Sequence, residues 1–332
     1  MRASISFLRY DIHGIVKVDS NVRPEAVAEV LPTFFLSDHR RGKADITIYV
    51  GDFIHKNEGL FWCGPFNIGP LKHKFLLKDV ERHAKLFFTN PRYNLLGEII
   101  WELQLIFDIL ELKLLQKGYS FIHAACVERD GEGLMLVAPP DTGKTFTTIR
   151  LVKEHGYSYM ADDMTIIGPS RTAYCFPKPM TLHTPHVEEL PISLPRGLKA
   201  LIRAREKLRS ISWLRKRIPE VRVDFRTILP NARVTKKTRI SRLIFLERGK
   251  RSVRSISQQE AKSRLMPVAK MHRNIMSLYI ALYAYYHPEL DLHALLERQD
   301  KLYIDLLDGI DYYVVSTPDR SFVDMMAKQG LI

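Results

Sequence analysis

The first ninety residues alternate between apolar and polar positions in short runs, a pattern typical of β-strands with one buried face. One segment, residues 24–35, opens with a proline and has apolar residues at helical spacing, so it is predicted to be a helix. The predicted strands are residues 5–18, broken at His13-Gly14, and residues 45–50, 59–66, 74–77 and 85–89. Together these elements predict a small α+β unit over residues 1–90.

After residue 90 the pattern changes to strands that alternate with helices, which is the order of an α/β fold. A long amphipathic helix is predicted from Asn94 to Lys117, with Trp101 among its core candidates and Gly118 at its end. The further predicted strands are residues 121–127, 134–137, 157–161, 164–167, 174–176, 240–246 and 311–316, and the further predicted helices are residues 146–153, 257–266, 272–286, 292–307 and 322–328. The sequence therefore predicts an α/β domain over residues 91–332, with an insertion at about residues 195–239.

A tight loop from Ala138 to Thr145 lies between an apolar strand, residues 134–137, and the helix that follows. Its last four residues, Thr-Gly-Lys-Thr, match the second half of the phosphate-binding loop pattern. Backbone amides at the start of a helix form an anion site, and the helix dipole favours negative charge there. Lys144 is therefore predicted to reach the phosphates of a nucleotide, and the Thr145 hydroxyl is predicted to hold Mg²⁺.

The first half of this loop departs from the pattern. Ala138 replaces the first glycine, and Pro139 and Pro140 have no amide hydrogen to donate to a phosphate. An ordinary strand-to-helix turn with a chance Gly-Lys-Thr is the alternative. The strand and the helix on either side of the loop favour a phosphate site.

Two adjacent carboxylates, Asp162 and Asp163, follow the predicted strand 157–161. Beside a phosphate site, one carboxylate can hold or orient Mg²⁺ and the other can accept a proton from an attacking hydroxyl. Repulsion between two such groups raises the pKa of one of them toward neutrality. A solvated Asp-Asp turn is the alternative, and the position one helix and one strand after the loop favours function.

Two further polar residues are candidates for the same site. His123 lies in the predicted strand 121–127, which forms a hairpin with the strand that enters the loop. Lys178 stands between Pro177 and Pro179 on a stiff extended backbone, where a fixed cation would stabilise charge on a transferring group. A core histidine and a loop lysine are the alternatives, and both stay open.

The order of these motifs resembles the catalytic domain of HPr kinase/phosphorylase and its relatives in the phosphoenolpyruvate-carboxykinase-like P-loop group. The matching residues are Ile122-His123-Ala124-Ala125, the loop to Thr145, His155-Gly156, Met160-Ala161-Asp162-Asp163 and the later Phe176-Pro177-Lys178-Pro179. The resemblance covers about residues 118–185. The glycine-rich start of the family's loop and a later glycine-containing signature are missing, which indicates a divergent member.

The resemblance implies a P-loop kinase core behind a small N-terminal α+β unit, with ATP and Mg²⁺ as cofactors. The implied activity is ATP-dependent phosphoryl transfer to a hydroxyl, and the implied acceptor is a serine of a protein or peptide. A sugar or polyol acceptor stays open, and so does a nucleotide-binding regulatory protein with little turnover. The implied nucleotide-binding residues are Asp141, Thr142, Gly143, Lys144, Thr145, Phe146 and Lys178. The implied catalytic residues are Asp162 as the base, His123 and Lys144, and the implied metal-binding residues are Thr145 and Asp163.

Composition limits the class of protein. The 332 residues are 46% hydrophobic and 26% charged, as in globular proteins. Cys63, Cys126 and Cys175 are too far apart for a zinc cluster or a disulfide framework, so a reducing cytoplasm is expected. The N-terminus has too few apolar residues for a signal peptide, and no run of eighteen apolar residues could span a membrane.

The net charge of +13 is concentrated between Arg196 and Arg254, where 20 Lys and Arg residues outnumber four Asp and Glu residues. Such a segment fits an acidic protein or peptide, an anionic membrane surface or nucleic acid. Nucleic acid ranks last, because the sequence has no nucleic-acid module and no aromatic stacking ladder. A solvated, partly mobile insertion is the simplest interpretation, and a homo-oligomer stays open.

Overall fold

The structure is a computed structural model of the 332-residue chain. It describes residues 6–39, 41–53, 59–65, 72–89, 102–190, 192–211, 218, 220–271 and 277–332. The chain forms two compact units, one of Met1–Ser120 with Arg273–Leu302 and one of Phe121–His272 with Tyr303–Ile332.

Strands and helices alternate after the N-terminal strands, as in an α/β protein. The strands are β1 (Leu8–Ile12), β2 (Val16–Ser20), β3 (Leu36–Ser37), β4 (Ile46–Val50), β5 (Leu60–Pro65), β6 (Lys72–Lys78), β7 (Ala84–Thr89), β8 (Ser120–Ile122), β9 (Ala125–Arg129), β10 (Glu132–Val137), β11 (Ser158–Ala161), β12 (Thr165–Gly168), β13 (Thr172–Tyr174), β14 (Met180–Leu182), β15 (Val221–Val223), β16 (Lys237–Arg248), β17 (Ser252–Ser255) and β18 (Asp311–Thr317). The helices are α1 (Pro24–Val27), α2 (Glu102–Gln116), α3 (Lys144–Glu154), α4 (Thr184–Glu189), α5 (Arg196–Arg209), α6 (Phe225–Ile228), α7 (Gln258–Met271), α8 (Leu278–Tyr286), α9 (Leu292–Asp305) and α10 (Phe322–Lys328).

The first unit is built on a seven-stranded mixed sheet in the order β3-β1-β2-β4-β7-β6-β5. Strands β2, β4 and β7 run parallel to one another, and the outer strands pair antiparallel. The alternation that predicted these strands matches their burial: Ile46 and Ile48 on β4 are buried, whereas the residues between and after them are partly exposed. The predicted strands of this part are confirmed.

Two helices that lie far apart in sequence pack into the first unit. The buried Lys113 of α2 donates from Nζ to Val80 O at 2.6 Å and to Arg82 O at 2.8 Å. Tyr283 of α8 donates to Glu81 Oε2 at 2.9 Å. The predicted division at residue 90 differs from the observed one, because these contacts join both helices to the N-terminal sheet. Residues 94–101 of the predicted first helix, including Trp101, lie outside the described residues.

The predicted helix over residues 24–35 is wrong. The structure has a four-residue helix, Pro24–Val27, and then a single 3-10 turn at Thr33–Phe35. Pro32 stands between them, and proline can neither donate the helical hydrogen bond nor fit against the preceding turn.

The second unit is built on a nine-stranded sheet. Its main path has the order β11-β9-β10-β16-β13-β12-β8, and β18 pairs with both β16 and β17. Strands β10, β16 and β18 are parallel. Helix α3 follows β10 and helix α10 follows β18, so the fold is α/β. The predicted strands near residues 134–137, 164–167, 240–246 and 311–316 are confirmed, as are the helices at residues 146–153 and 322–328.

The predicted single strand over residues 121–127 is wrong. It is two strands, β8 and β9, separated by His123 and Ala124. The chain turns between them, with Ala124 N donating to Ile122 O at 2.8 Å, and Ala124 O accepts from Thr165 Oγ1 at 2.8 Å. His123 therefore projects from a break in the sheet.

One side of the basic segment packs against α3. Ile202 of α5 is 1% exposed, and it belongs to one apolar cluster with Ile149 of α3 and Val223 of β15. The other side of the segment presents apolar residues to solvent, with Leu201 at 40%, Leu208 at 44% and Ile211 at 42% exposure. The insertion is therefore anchored by an apolar cluster, while most of α5 faces solvent, and the expected partial mobility stays a prediction. Residues 212–217, including Trp213, lie outside them.

Candidate functional site

The loop of residues 138–145 joins the carboxyl end of β10 to the first turn of α3. Gly143 has φ +128°, and a Cβ there would come within 3.3 Å of Phe322 Cε2, so only glycine fits without strain. The first helical hydrogen bond runs from Thr147 N to Gly143 O at 3.0 Å. The amides before it have no carbonyl partner within the helix and point out of its amino end, as an anion site requires.

Lys144 is folded back onto this loop. Its side chain is only 8% exposed, and Nζ donates to Ala138 O at 2.7 Å. Nζ also lies 3.4 Å from Pro139 O and 2.9 Å from His123 Nε2. Burial lowers the pKa of Lys144, while Asp163, Asp162 and Asp141 act to raise it.

Asp162 contacts the first turn of α3. The Thr145 hydroxyl donates to Asp162 Oδ2 at 2.8 Å. The other oxygen, Oδ1, is buried and has no hydrogen-bond partner among the described residues. Burial raises the pKa of Asp162 to about 7, the bond from Thr145 acts to lower it, and the charge of Asp163 raises it further. A carboxyl group with this pKa exchanges its proton near neutral pH.

The pKa of Asp163 is shifted in the opposite direction from that of Asp162. Lys178 Nζ donates to its Oδ2 at 3.1 Å, and His123 Nδ1 lies 3.2 Å from its Oδ1. Desolvation in the cleft raises the pKa of Asp163, but the contacts with His123 and Lys178 outweigh it and hold the pKa well below the ordinary value. The adjacent pair therefore consists of one carboxylate that stays ionised and one that titrates near pH 7.

His123 bridges the lysine and the carboxylates. An ammonium group can only donate, so His123 Nε2 accepts from Lys144 and the ring proton lies on Nδ1, on the side of Asp163. The break between β8 and β9 places the ring at this point. His123 is thus a buried histidine whose contacts are with the lysine and a carboxylate of the candidate site.

These groups line one cleft in the second unit, with a volume of about 610 Å³. Predicted site residues on its wall are Asp141, Gly143, Lys144, Thr145, Asp162, Asp163 and His123. Asp141 has φ +60°, a left-handed conformation that aspartate tolerates better than most residues.

Three predicted nucleotide-binding residues, Thr142, Phe146 and Lys178, are not among the residues that line the cleft, and Lys178 donates to Asp163 instead. The Phe146 ring is 6% exposed and belongs to the apolar cluster of α3 and α5. The Thr142 hydroxyl donates to Pro139 O at 2.9 Å, so it is used inside the loop.

A second part of the cleft wall is made by residues that the sequence did not single out. They are Thr181, His183, Pro185, His186, Glu206, Glu220 and Arg320. His183 N donates to His186 Nδ1 at 2.9 Å, which puts the proton of His186 on Nε2. Burial and the neighbours His183 and Arg320 lower the pKa of His186 to about 4, so this imidazole is neutral at pH 7. The spacing of His183 and His186 was the only local signal for this wall.

The oxygen donors at the cleft suit a hard divalent cation. Within the described part of the chain, no group of three or more His, Cys, Asp or Glu residues is arranged to hold a metal ion. Mg²⁺ usually takes only one or two carboxylates and completes its shell with water and substrate phosphates. The unpartnered Asp162 Oδ1, the Asp163 carboxylate and the Thr145 hydroxyl fit that requirement.

Comparisons with known proteins add little to this geometry. No protein-family model matches the chain, and no curated protein matches it. A solved structure to which it is similar is the Hpr(Ser) kinase/phosphatase from Coxiella burnetii, at 11% sequence identity and a TM-score of 0.27. The match covers 64% of this chain and 96% of that chain. A TM-score this low carries no argument about activity, which has to come from the site itself.

No helix within the described ranges is long and apolar enough to cross a bilayer.

Proposed function

We propose that the second unit is an ATP-dependent kinase that transfers a phosphoryl group to a hydroxyl. The observation that supports this proposal most is the 2.8 Å contact between Thr145 and Asp162. It joins the anion-binding end of α3 to a carboxylate pair whose two members differ sharply in pKa. Phosphoryl transfer to an alcohol needs both parts within one site.

The 138–145 loop would hold the phosphates of ATP. The amides of the first turn of α3 and the helix dipole supply the anion site, in the way of a P-loop. Lys144 would exchange its longest contact, that with Pro139 O at 3.4 Å, for a phosphate oxygen while it keeps Ala138 O and His123. Pro139 and Pro140 donate no amide, so binding depends on the amides nearest to α3.

Thr145 and Asp163 would hold Mg²⁺, and Asp162 would accept the proton of the acceptor hydroxyl. When bound, Mg²⁺ neutralises charge that develops on the phosphate oxygens. Asp163 suits a metal ligand because it stays ionised, and Asp162 suits a base because its pKa of about 7 matches the working pH. Lys178 and His123 keep Asp163 ionised and oriented.

The contact of Thr145 with Asp162 also fits the reverse assignment, in which Asp162 holds Mg²⁺ with Thr145 and Asp163 accepts the proton. A magnesium titration separates the two divisions. Asp163→Asn should raise the Mg²⁺ concentration needed for half-maximal turnover, whereas Asp162→Asn should lower kcat with little change in that concentration. The reverse pattern would exchange the two roles.

The acceptor is proposed to be a serine of a protein or peptide. A sugar or polyol is the rival within the same class of enzyme. The test is ADP release from Mg·ATP by the purified chain, with peptide and polyol acceptors in separate arms. Stimulation by a polyol alone would dismiss the peptide acceptor.

Lys144→Met serves as the variant that removes the phosphate contact, and Lys153→Met, at the other end of the same helix, is its charge-matched control. We expect the first to abolish Mg·ATP binding and turnover and the second to change neither. Binding by the wild type without turnover under any acceptor would favour a nucleotide-binding regulator. Absence of Mg·ATP binding would refute the proposed function.

A further inference from the structure

Arg320 is a cation at the cleft that the proposed mechanism does not use. It lies in the short turn between β18 and α10. The neighbouring Asp319 fixes this turn by accepting from Thr317 Oγ1 at 2.6 Å and from Ser321 N at 2.9 Å. Arg251 holds the same carboxylate at 2.8 Å. The backbone that carries Arg320 is therefore held in place.

The side chain of Arg320 lies against the phosphate end of α3. Its Cγ is 4.0 Å from the point that a Cβ on Gly143 would occupy, and its guanidinium carbon is 5.9 Å from the centre of the Phe146 ring. Lys144 and Thr145 line the same cleft. The guanidinium thus stands beside the proposed phosphate site.

In this structure the guanidinium is bound to Glu189, at the end of α4. Arg320 Nη1 donates to both carboxylate oxygens, at 2.9 Å and 3.1 Å. Arg320 is 33% exposed and Glu189 is 48% exposed, so solvent screens the pair and it contributes little to stability. A triphosphate carries more negative charge than one carboxylate and offers arginine several acceptor oxygens. It can therefore compete with Glu189 for the guanidinium.

We propose that Arg320 is a second cation for the polyphosphate tail of a nucleoside triphosphate, and that Glu189 holds it until the nucleotide binds. This inference rests on the proposed function and deepens it. Binding exchanges one partner of the guanidinium for another, with no covalent change. The two residues then have opposite effects: Arg320 favours nucleotide binding, and Glu189 competes with it.

The test is whether substitutions of Arg320 and Glu189 change Mg·ATP affinity in opposite directions. In an ion pair that serves only the fold, removing either partner loses the same contact, so both variants change in the same direction. Under this proposal Arg320→Gln weakens Mg·ATP binding about tenfold or more, as expected for the loss of a charge-assisted bond. Glu189→Gln strengthens binding by about two- to fivefold, because an exposed pair competes only weakly.

The experiment is calorimetric titration of the full chain with Mg·ATP and, separately, with AMP, which lacks the polyphosphate tail. Arg203→Gln is the matched control. Arg203 of α5 forms a similar exposed ion pair, at 3.4 Å, with Glu188, the residue next to Glu189 on α4. We expect Arg320→Lys to keep part of the affinity, the control to bind as the wild type does, and AMP affinity to change in none of the variants. Thermal melts establish that each variant is folded.

Wild-type affinity in Arg320→Gln would overturn this inference alone, and so would weakened binding in Glu189→Gln. A wild-type chain that takes up no Mg·ATP would overturn the proposed function, and this inference with it.

Discussion

Asp162→Asn is expected to stabilise the nucleotide-free protein at neutral pH while it removes the proposed base. Asp162 is 7% exposed, and one of its carboxylate oxygens is buried with no partner among the described residues. Ionising such a group costs free energy, which the raised pKa measures. An asparagine has similar shape, can still accept from Thr145, and never ionises.

The magnitude follows from the pKa. In the folded state the pKa of Asp162 is about 7, against an ordinary value of 3.8. Between these values the unfolded chain has lost a proton that the folded chain keeps, so the free energy of unfolding falls by about 1.4 kcal/mol for each pH unit. Because the pKa is raised, this loss of stability grows from about pH 4 to pH 7 and is constant above. The variant lacks it, and is expected to gain about 2 to 4 kcal/mol over the wild type at pH 8.

Thermal unfolding at pH 5, 6, 7 and 8, without nucleotide or magnesium, measures this difference. A gain of 2 kcal/mol corresponds to a rise of roughly 4 to 8 °C in Tm for a unit of this size. Asp163→Asn is the control of opposite sign, because a lowered pKa means that the ionised group stabilises the fold. It should lower Tm at pH 7 and 8. A difference between Asp162→Asn and wild type that does not widen between pH 5 and pH 7 would refute the reasoning.

The remaining predictions concern turnover and the loop. If Asp162 is the base, kcat/KM for Mg·ATP should rise with pH to a plateau, with a midpoint near 7, since this quantity reports the free enzyme; a flat profile would contradict that role. Thr145→Val removes a bond that lowers the pKa of Asp162, so the midpoint should move to higher pH, whereas Thr145→Ser should leave it in place. Gly143→Ala should destabilise the protein by about 1 to 3 kcal/mol and abolish Mg·ATP binding, because a left-handed residue acquires a Cβ against Phe322. Gly156→Ala, also at positive φ but with open space around its Cβ, should cost stability and leave binding unchanged; equal loss of binding in both would show that Gly143 acts only through the fold.

The loop and the carboxylate pair could be predicted because each is a contiguous pattern. Thr145 and Asp162 are separated by helix α3 and strand β11. Because β11 and β10 both pair antiparallel with β9, the two strands end at the same edge of the sheet. Short-range pattern and simple topology are therefore enough to expect them together. A raised pKa for one of the two carboxylates was expected from their mutual repulsion. Its main cause, the burial of Asp162, and the contacts with Lys178 and His123 that keep Asp163 ionised could not be read from the sequence.

The break at His123 shows where the apolar pattern is insufficient. Residues 121–127 are all buried, so they look like one strand. Whether they pair continuously depends on the neighbouring strands: β9 pairs with β10, whereas β8 lies at the other end of the sheet order beside β12. A pattern of buried residues carries no information about a change of partner.

The second part of the cleft wall could not be predicted for a different reason. His186, Glu206 and Arg320 come from three helices or turns with no common motif. The packing of α4 and α5 onto α3 brings His186 and Glu206 to the cleft, and the packing of α10 onto α3 brings Arg320. Such side chains are recognised from coordinates, because no local spacing records their proximity.

The two parts of the cleft wall belong to separate stretches of chain. The loop, the carboxylate pair and His123 lie within residues 123–163, whereas most of the second part lies within residues 181–220. Under the proposed function, replacing the second stretch leaves every proposed phosphate, metal and base residue in place. A chimera of this kind tests whether the second stretch selects the acceptor independently of the chemistry.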